Sequence, residues 1–266
     1  MIITVGNNKG GVGKTGVVVQ LADAFARAGR SVLVVDLDPQ ANASRQLGWQ
    51  DNHDSPKPTI GDALRDASEG VAEAALVEGR DLESGIRVDL LPSRVDLENR
   101  ISEASTVGAV RRLKKVLKGW TDDYDIVLVD TPPSLGHLTQ MALAASDTAL
   151  CVTAPEFDSV EGMTRFRSFV AEHAEDLANP DLRFEGVIVN LHKKNLNEHT
   201  FQMEGLEELI GPDELLQPVI PDRAVMKEAA AAGASLADYK TQAGKQMAGV
   251  FDALAETIMT RVGAAK

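Results

Sequence analysis

The chain has 266 residues, 44% of them hydrophobic, a net charge of −13 and a single cysteine. That length and apolar content suit one large α/β domain or two small ones and exclude a disordered chain. The acidic balance excludes a wholly basic nucleic-acid binder but leaves room for a local basic patch, and one Cys excludes a disulfide framework or a Cys-ligated cluster within one chain.

No apolar targeting segment precedes the polar residues after "MIITV", and no run approaches the roughly 20 apolar residues of a membrane span. A cytoplasmic protein is expected. In chain order, "IITV", "SVLVVD", "VDLLPS", "DIVLVD", "TALCVTA", "FEGVIVN" and "LLQPVIP" predict strands, several apolar on both faces as in a helix-covered parallel sheet. Between them, "GVVVQLADAFARAG" (closed by Gly29), "GAVRRLKKVLKGW", "LTQMALAAS", "VEGMTRFRSFVAEHAEDLA" and the terminal "GKQMAGVFDALAETIMTRV" carry helical periodicity. The Pro- and Asp-rich segment 48–60 predicts a long surface loop. Such alternation implies βαβ units. The fold class is α/β, a doubly wound, mostly parallel sheet flanked by helices, in a single domain over residues 1–266. Cys151 falls in an apolar strand, where a free thiol packs as a small hydrophobe.

The chemistry begins at "GNNKGGVGKTG", between the first strand and the first helix. The phosphate-loop pattern G-x-x-x-x-G-K-[ST] fails at one place, because Asn8 stands where the leading glycine belongs. Gly10, Gly11 and Gly13 still let backbone N–H groups wrap a phosphate, at a helix N-terminus that favours anions. Lys14 neutralises terminal phosphates, and the Thr15 hydroxyl is placed to ligate Mg²⁺. A strand-end carboxylate is also needed, and "DIVLVDTPPS" supplies Asp130 followed by the stiff turn Thr131-Pro132-Pro133. "SVLVVDLDPQAN" ends in Asp36 and Asp38, two carboxylates on the same side of an extended segment, suited to metal support and to positioning water.

"KGGVGKT", "DLDPQAN" and "DTPPS", in this order and spacing, closely resemble the deviant Walker A ATPases of the ParA type, within the ParA/MinD superfamily. The likeness covers nearly the whole chain and implies a deviant P-loop NTPase fold with ATP and Mg²⁺ as ligands. It assigns nucleotide contacts to Lys9, Gly10, Gly11, Val12, Gly13, Lys14, Thr15 and Gly16, with Asn190 at the adenine and Pro221 against the base. Thr15 and Asp130 belong to the metal, with Asp36 supporting it through water; Lys9, Lys14 and Asp38 form the catalytic set, Asp38 positioning the hydrolytic water. The resemblance implies that Lys9 turns away from its own nucleotide and reaches the one held by a second subunit, as an arginine finger acts in trans. Glu156 either reaches the partner's nucleotide or is a plain surface residue. One departure stands out: Gly16 occupies the place of a second threonine, so somewhat weaker or altered nucleotide binding is expected.

Other branches fit less well. Paired cysteines, a C-x-x-C and a tyrosine-rich tail are absent, and the last helix lacks the basic, aromatic character of a MinD-type membrane tail. The loop begins at residue 7, so the small form without an N-terminal helix-turn-helix domain is expected. The resemblance implies plasmid or chromosome partition: an ATP-dependent homodimer binds DNA non-specifically and is nucleoid-associated. A ParB-like centromere-binding protein stimulates otherwise slow hydrolysis and releases it. Candidate DNA contacts are Lys193, Lys194, Arg223 and Lys227, joined by Arg165, Arg167, Lys240 and Lys245; each group alone also fits a solvated face. Two rivals are a MinD-like positioning ATPase on a membrane surface and a nucleotide-gated scaffold with negligible hydrolysis. His53, His137, His173, His192 and His199 lack metal spacing, His137 being expected on the surface, and "RRLKK" (111–115) is expected to be an exposed helix face.

Overall fold

The computed structural model describes residues 1–52, 54–81 and 87–264, so His53 lies outside the described residues. In chain order the elements are β1 (Ile2–Gly6), α1 (Lys14–Arg27), β2 (Val32–Asp36), α2 (Asn42–Gln46), α3 (Ile60–Asp66), β3 (Val77–Asp81), β4 (Arg87–Leu91) and α4 (Arg112–Leu117). They continue as β5 (Ile126–Asp130), α5 (His137–Ala145), β6 (Thr148–Thr153), α6 (Phe157–His173), β7 (Arg183–Val189), α7 (Asn197–Glu214), β8 (Leu215–Leu216), α8 (Ala224–Ala232) and α9 (Gln242–Ala264).

The strands form one eight-stranded sheet in the order β3-β4-β2-β5-β1-β6-β7-β8. Every neighbouring pair is parallel except β3 with β4. Side-chain alternation divides the core between the two faces. Val32 and Val34 pack with Leu21, Phe25 and the last helix, whereas Leu33 and Val35 pack with Leu64, Leu113 and Met141 of α3, α4 and α5. On α9, Met247, Phe251, Leu254, Ile258 and Val262 are each at most 2% exposed. The apolar stripe of the last helix is therefore spent on the sheet and α1.

Several elements differ from expectation. β3, "VEGRD", is a charged edge strand without an apolar run, and a Cβ at Gly79 would overlap the Val88 carbonyl of β4. The strand expected at 215–221 stops after Leu216, ahead of Pro218, which has no N–H to continue the ladder; Pro221 makes only an isolated bridge to His192. The 48–60 loop ends at Thr59, whose capping box with Asp62 opens α3. His137 is 6% exposed at the start of α5, not on the surface, because the turn after Pro133 folds it against that layer. Burial and the Arg112 charge hold its pKa below the usual histidine range.

Candidate nucleotide-binding site

The carboxyl ends of β1, β2, β5, β6 and β7 converge on one edge of the sheet, the place where open α/β sheets bind ligands. The loop after β1 is anchored there by a residue the sequence did not flag. Asn7 is 1% exposed; its Nδ2 donates to the Val152 carbonyl at 2.8 Å, and its Oδ1 accepts from the Lys9 N–H at 2.8 Å. Gly162 on α6 permits this seating, since a Cβ there would lie 2.5 Å from Asn7 Oδ1 and 3.0 Å from Lys9 Cβ. Gly13, at φ +81°, caps α1, and a side chain on it would overlap Asn190 Nδ2.

That asparagine amide donates to the Val12 carbonyl at 2.9 Å and ties the end of β7 to the phosphate loop. Lys14 is 7% exposed and donates to the Lys9 carbonyl at 3.3 Å. Burial lowers its pKa, while Asp130 opposes the shift.

Beneath the loop, β2–β5 pairing sets Asp36 beside Asp130. Asp130 is fully buried; its Oδ2 accepts from the Thr15 hydroxyl at 2.8 Å, and its Oδ1 has no hydrogen-bond partner among the described residues. Desolvation, with Asp36 second, pushes its carboxyl well above the ordinary range. An unpaired buried carboxylate oxygen beside a hydroxyl is an oxygen-only donor set of the kind Mg²⁺ takes. Among the described residues no group of three or more His, Cys, Asp or Glu could hold a metal, so a cation here would draw its remaining ligands from phosphate and water. Asp36 is differently placed. Its Oδ1 accepts from the Asp38 N–H and its Oδ2 from both the N–H and the hydroxyl of Ser44, at 2.7–3.1 Å. Both oxygens are engaged in folding the turn, and burial raises its pKa too.

A cleft of about 640 Å³ opens above these groups. Of the predicted residues, Gly10, Gly11, Gly13, Lys14, Thr15, Gly16, Asp38, Asn190 and Pro221 line it. Thr131 and Pro133 of the stiff turn and Glu156 line it as well. Lys9, Val12, Asp36 and Asp130 do not. Asp38 is 8% exposed and steadied by the Gln40 N–H at 2.9 Å. Gln40, Asn42, Gln46 and Met226 also line the cleft; Gln40 and Asn42 stand in the "DLDPQAN" motif, but nothing in the sequence marks Gln46 or Met226.

The profile of one protein family, described as an AAA domain, matches residues 1–184. Over 268 residues the chain is 33% identical to the chromosome-partitioning ATPase Soj of Thermus thermophilus, covering 98% of this chain and 96% of that protein. The chain belongs to the ParA/MinD family of ATPases. It is also 32% identical over 241 residues to the sporulation initiation inhibitor protein Soj of Bacillus subtilis, 90% of each chain. Among solved structures, cobyrinic acid a,c-diamide synthase of Mycobacterium smegmatis with bound ADP and magnesium superposes with a TM-score of 0.79 at 26% identity, over 100% of this chain and 96% of that one.

In this ParA/MinD-type ATPase the two loop lysines part company. Lys14 lies inside the cleft, whereas Lys9 leaves it and pairs with Asp158 at the first turn of α6, Nζ to Oδ2 3.0 Å. The cations considered for DNA also divide. Lys193, Arg223 and Lys227 line the mouth of the nucleotide cleft, with Lys193 3.3 Å from Asp222, while Lys194 is exposed outside it. Arg165 pairs with Glu161 and Arg167 with Glu214. Lys240 and Lys245 are exposed around the start of α9.

Proposed function

We propose that this ATPase is a partition switch: ATP with Mg²⁺ joins two copies face to face, the dimer binds DNA, and a ParB-like partner triggers hydrolysis and release. The observation that carries the reading is the opposite placement of Lys14 and Lys9. Lys14 is buried in its own cleft; Lys9, its side chain 43% exposed, is directed away from it to Asp158. Two cations five residues apart on one phosphate loop serve different purposes when one of them faces another molecule.

Each chain residue then has a task. The backbone N–H groups of the loop and the Lys14 ammonium hold the phosphates, and Asn190 keeps the loop closed through Val12. Thr15 and Asp130 would hold Mg²⁺, which when bound neutralises charge on the phosphates. Asp38, at the cleft wall, accepts a hydrogen bond from the attacking water and orients it toward the terminal phosphate. Thr131 and Pro133 line the same wall, so a bound terminal phosphate presses on the stiff turn that leads to α5.

Sedimentation with a non-hydrolysable ATP analogue and Mg²⁺ tests the reading. Lys9→Ala is expected to bind nucleotide yet stay monomeric where the wild type dimerises. A variant dimer of wild-type affinity would overturn the role of Lys9.

A further inference from the structure

A second concentration of positive charge lies away from the cleft. A groove of about 540 Å³ runs between the end of α3 and the segment leading into α4. Its lining contains Arg111, Arg112, Lys114, Lys115 and Lys118 against a single carboxylate, Glu69. In a chain with a net charge of −13 such a cluster is out of proportion to the surrounding surface.

Two of the five cations are compensated, Lys118 by Glu69 at 3.0 Å and Arg112 by Glu103. Arg111, Lys114 and Lys115 are exposed and make no ion pair among the described residues. Asp66, on the flank, feels the Lys115 charge, although its own Ser68 hydrogen bonds are the larger influence on it. Leu113, Val116 and Leu117 of α4 are at most 1% exposed and fix that helix on the sheet, which leaves Lys114 and Lys115 facing outward, with Arg111 just ahead of its first residue.

We propose that this groove binds the phosphodiester backbone of DNA, which makes it a contact surface separate from the cations at the cleft mouth. The inference rests on the DNA-binding reading above. The lining chemistry favours nucleic acid over an acidic protein. Three of the five cations are lysines, which protein–protein interface cores avoid and phosphate contacts use. The groove has no aromatic lining to anchor a peptide, and its one large apolar side chain is Val107, fully exposed at the rim. Arg111 adds a planar fork that matches phosphate oxygens.

The test is an anisotropy titration of a labelled duplex of arbitrary sequence against the full chain, with ATP analogue and Mg²⁺, over a range of salt. The triple variant Arg111→Ala/Lys114→Ala/Lys115→Ala removes up to three phosphate contacts per subunit. It should lower the slope of log K against log salt by about 2.7 per subunit and weaken binding at least tenfold near physiological salt. ATP turnover and nucleotide-dependent dimerisation should stay at wild-type level. A double reversal, Lys114→Glu/Lys115→Glu, should weaken DNA binding further, and circular dichroism checks that both variants fold. If the wild type binds DNA and the triple variant binds with the same affinity and slope, the groove assignment is wrong and the DNA-binding reading survives. If the wild type binds no DNA with nucleotide present, that reading falls and the inference falls with it. Retention of poly-glutamate that the triple variant loses, with DNA binding unchanged, would reassign the groove to an acidic protein.

Discussion

If Lys9 works in another subunit's site, as proposed, it must first leave Asp158, and that separation is measurable. The pair is 3.0 Å apart, with side chains 43% and 67% exposed. Exposed ion pairs contribute about 0.2–1 kcal/mol each. A symmetric dimer breaks two, so the opposing free energy is about 0.4–2 kcal/mol, or roughly a 2- to 30-fold change in dimer affinity. Asp158→Asn should therefore tighten nucleotide-dependent dimerisation within that range. Asparagine is preferred to alanine because position 158 lies in the first turn of α6, where a polar acceptor suits the helix end. The assay is sedimentation equilibrium with ATP analogue and Mg²⁺ at low and high salt. The gap between variant and wild type should shrink as salt rises, because screening already weakens the wild-type pair. Equal or weaker dimerisation of Asp158→Asn at low salt would refute the idea that this contact restrains Lys9.

Gly16 lines the cleft, and a Cβ built on it meets nothing within 4 Å. Gly16→Thr should fit and add one hydrogen bond to nucleotide, raising affinity roughly fivefold for about 1 kcal/mol, as calorimetric titration would show. Away from the cleft, Asp23 is fully buried beside Arg80 at 2.5 Å, and burial pushes its carboxyl from 3.8 up to about 6 despite that guanidinium. The native state therefore keeps a proton that the unfolded chain gives up, and Asp23's contribution to stability falls as pH rises from about 4 to about 6. Asp23→Asn should flatten that part of the urea-denaturation profile. It also strands the Arg80 charge, at a cost of about 3–5 kcal/mol near neutral pH. An unchanged pH slope in the variant would mean that Asp23 titrates normally.

The sheet was legible because parallel strands buried on both faces leave continuous apolar runs, as in "VLVVD" and "IVLVD". β3 was not, since an edge strand needs neither an apolar run nor alternation, and "VEGRD" has Gly79 where a backbone passes close. α8 carries four consecutive alanines, a strong helical propensity without a clear periodic stripe. In the cleft, the contiguous motifs placed the phosphate loop, Asp38 and Asp130 near one another. The roles of Asn7 and Gln46 come from tertiary neighbours, β6 and the cleft wall, that no local pattern encodes. Charge was the least legible feature. Sequence shows where cations are, but not that Arg167 is taken by Glu214, 47 residues away, while Lys114 and Lys115 make no ion pair among the described residues.

The central claim is that Lys9 works in a site belonging to another copy, and mixing two inactive variants tests it directly. Lys9→Ala keeps its own Asp38, and Asp38→Ala keeps its own Lys9. If Lys9 acts in trans, each heterodimer holds one complete site, in which Asp38 of the first subunit faces Lys9 of the second. At subunit concentrations that drive pairing, the heterodimer keeps one Lys9 contact where a Lys9→Ala pair has none, so equal mixing should restore ATP turnover well above either variant alone, up to about half of wild type when every pair is a heterodimer with one working site of two. If Lys9 acts within its own subunit, no site in any pairing is complete, and a mixture as inactive as its two components would contradict the account.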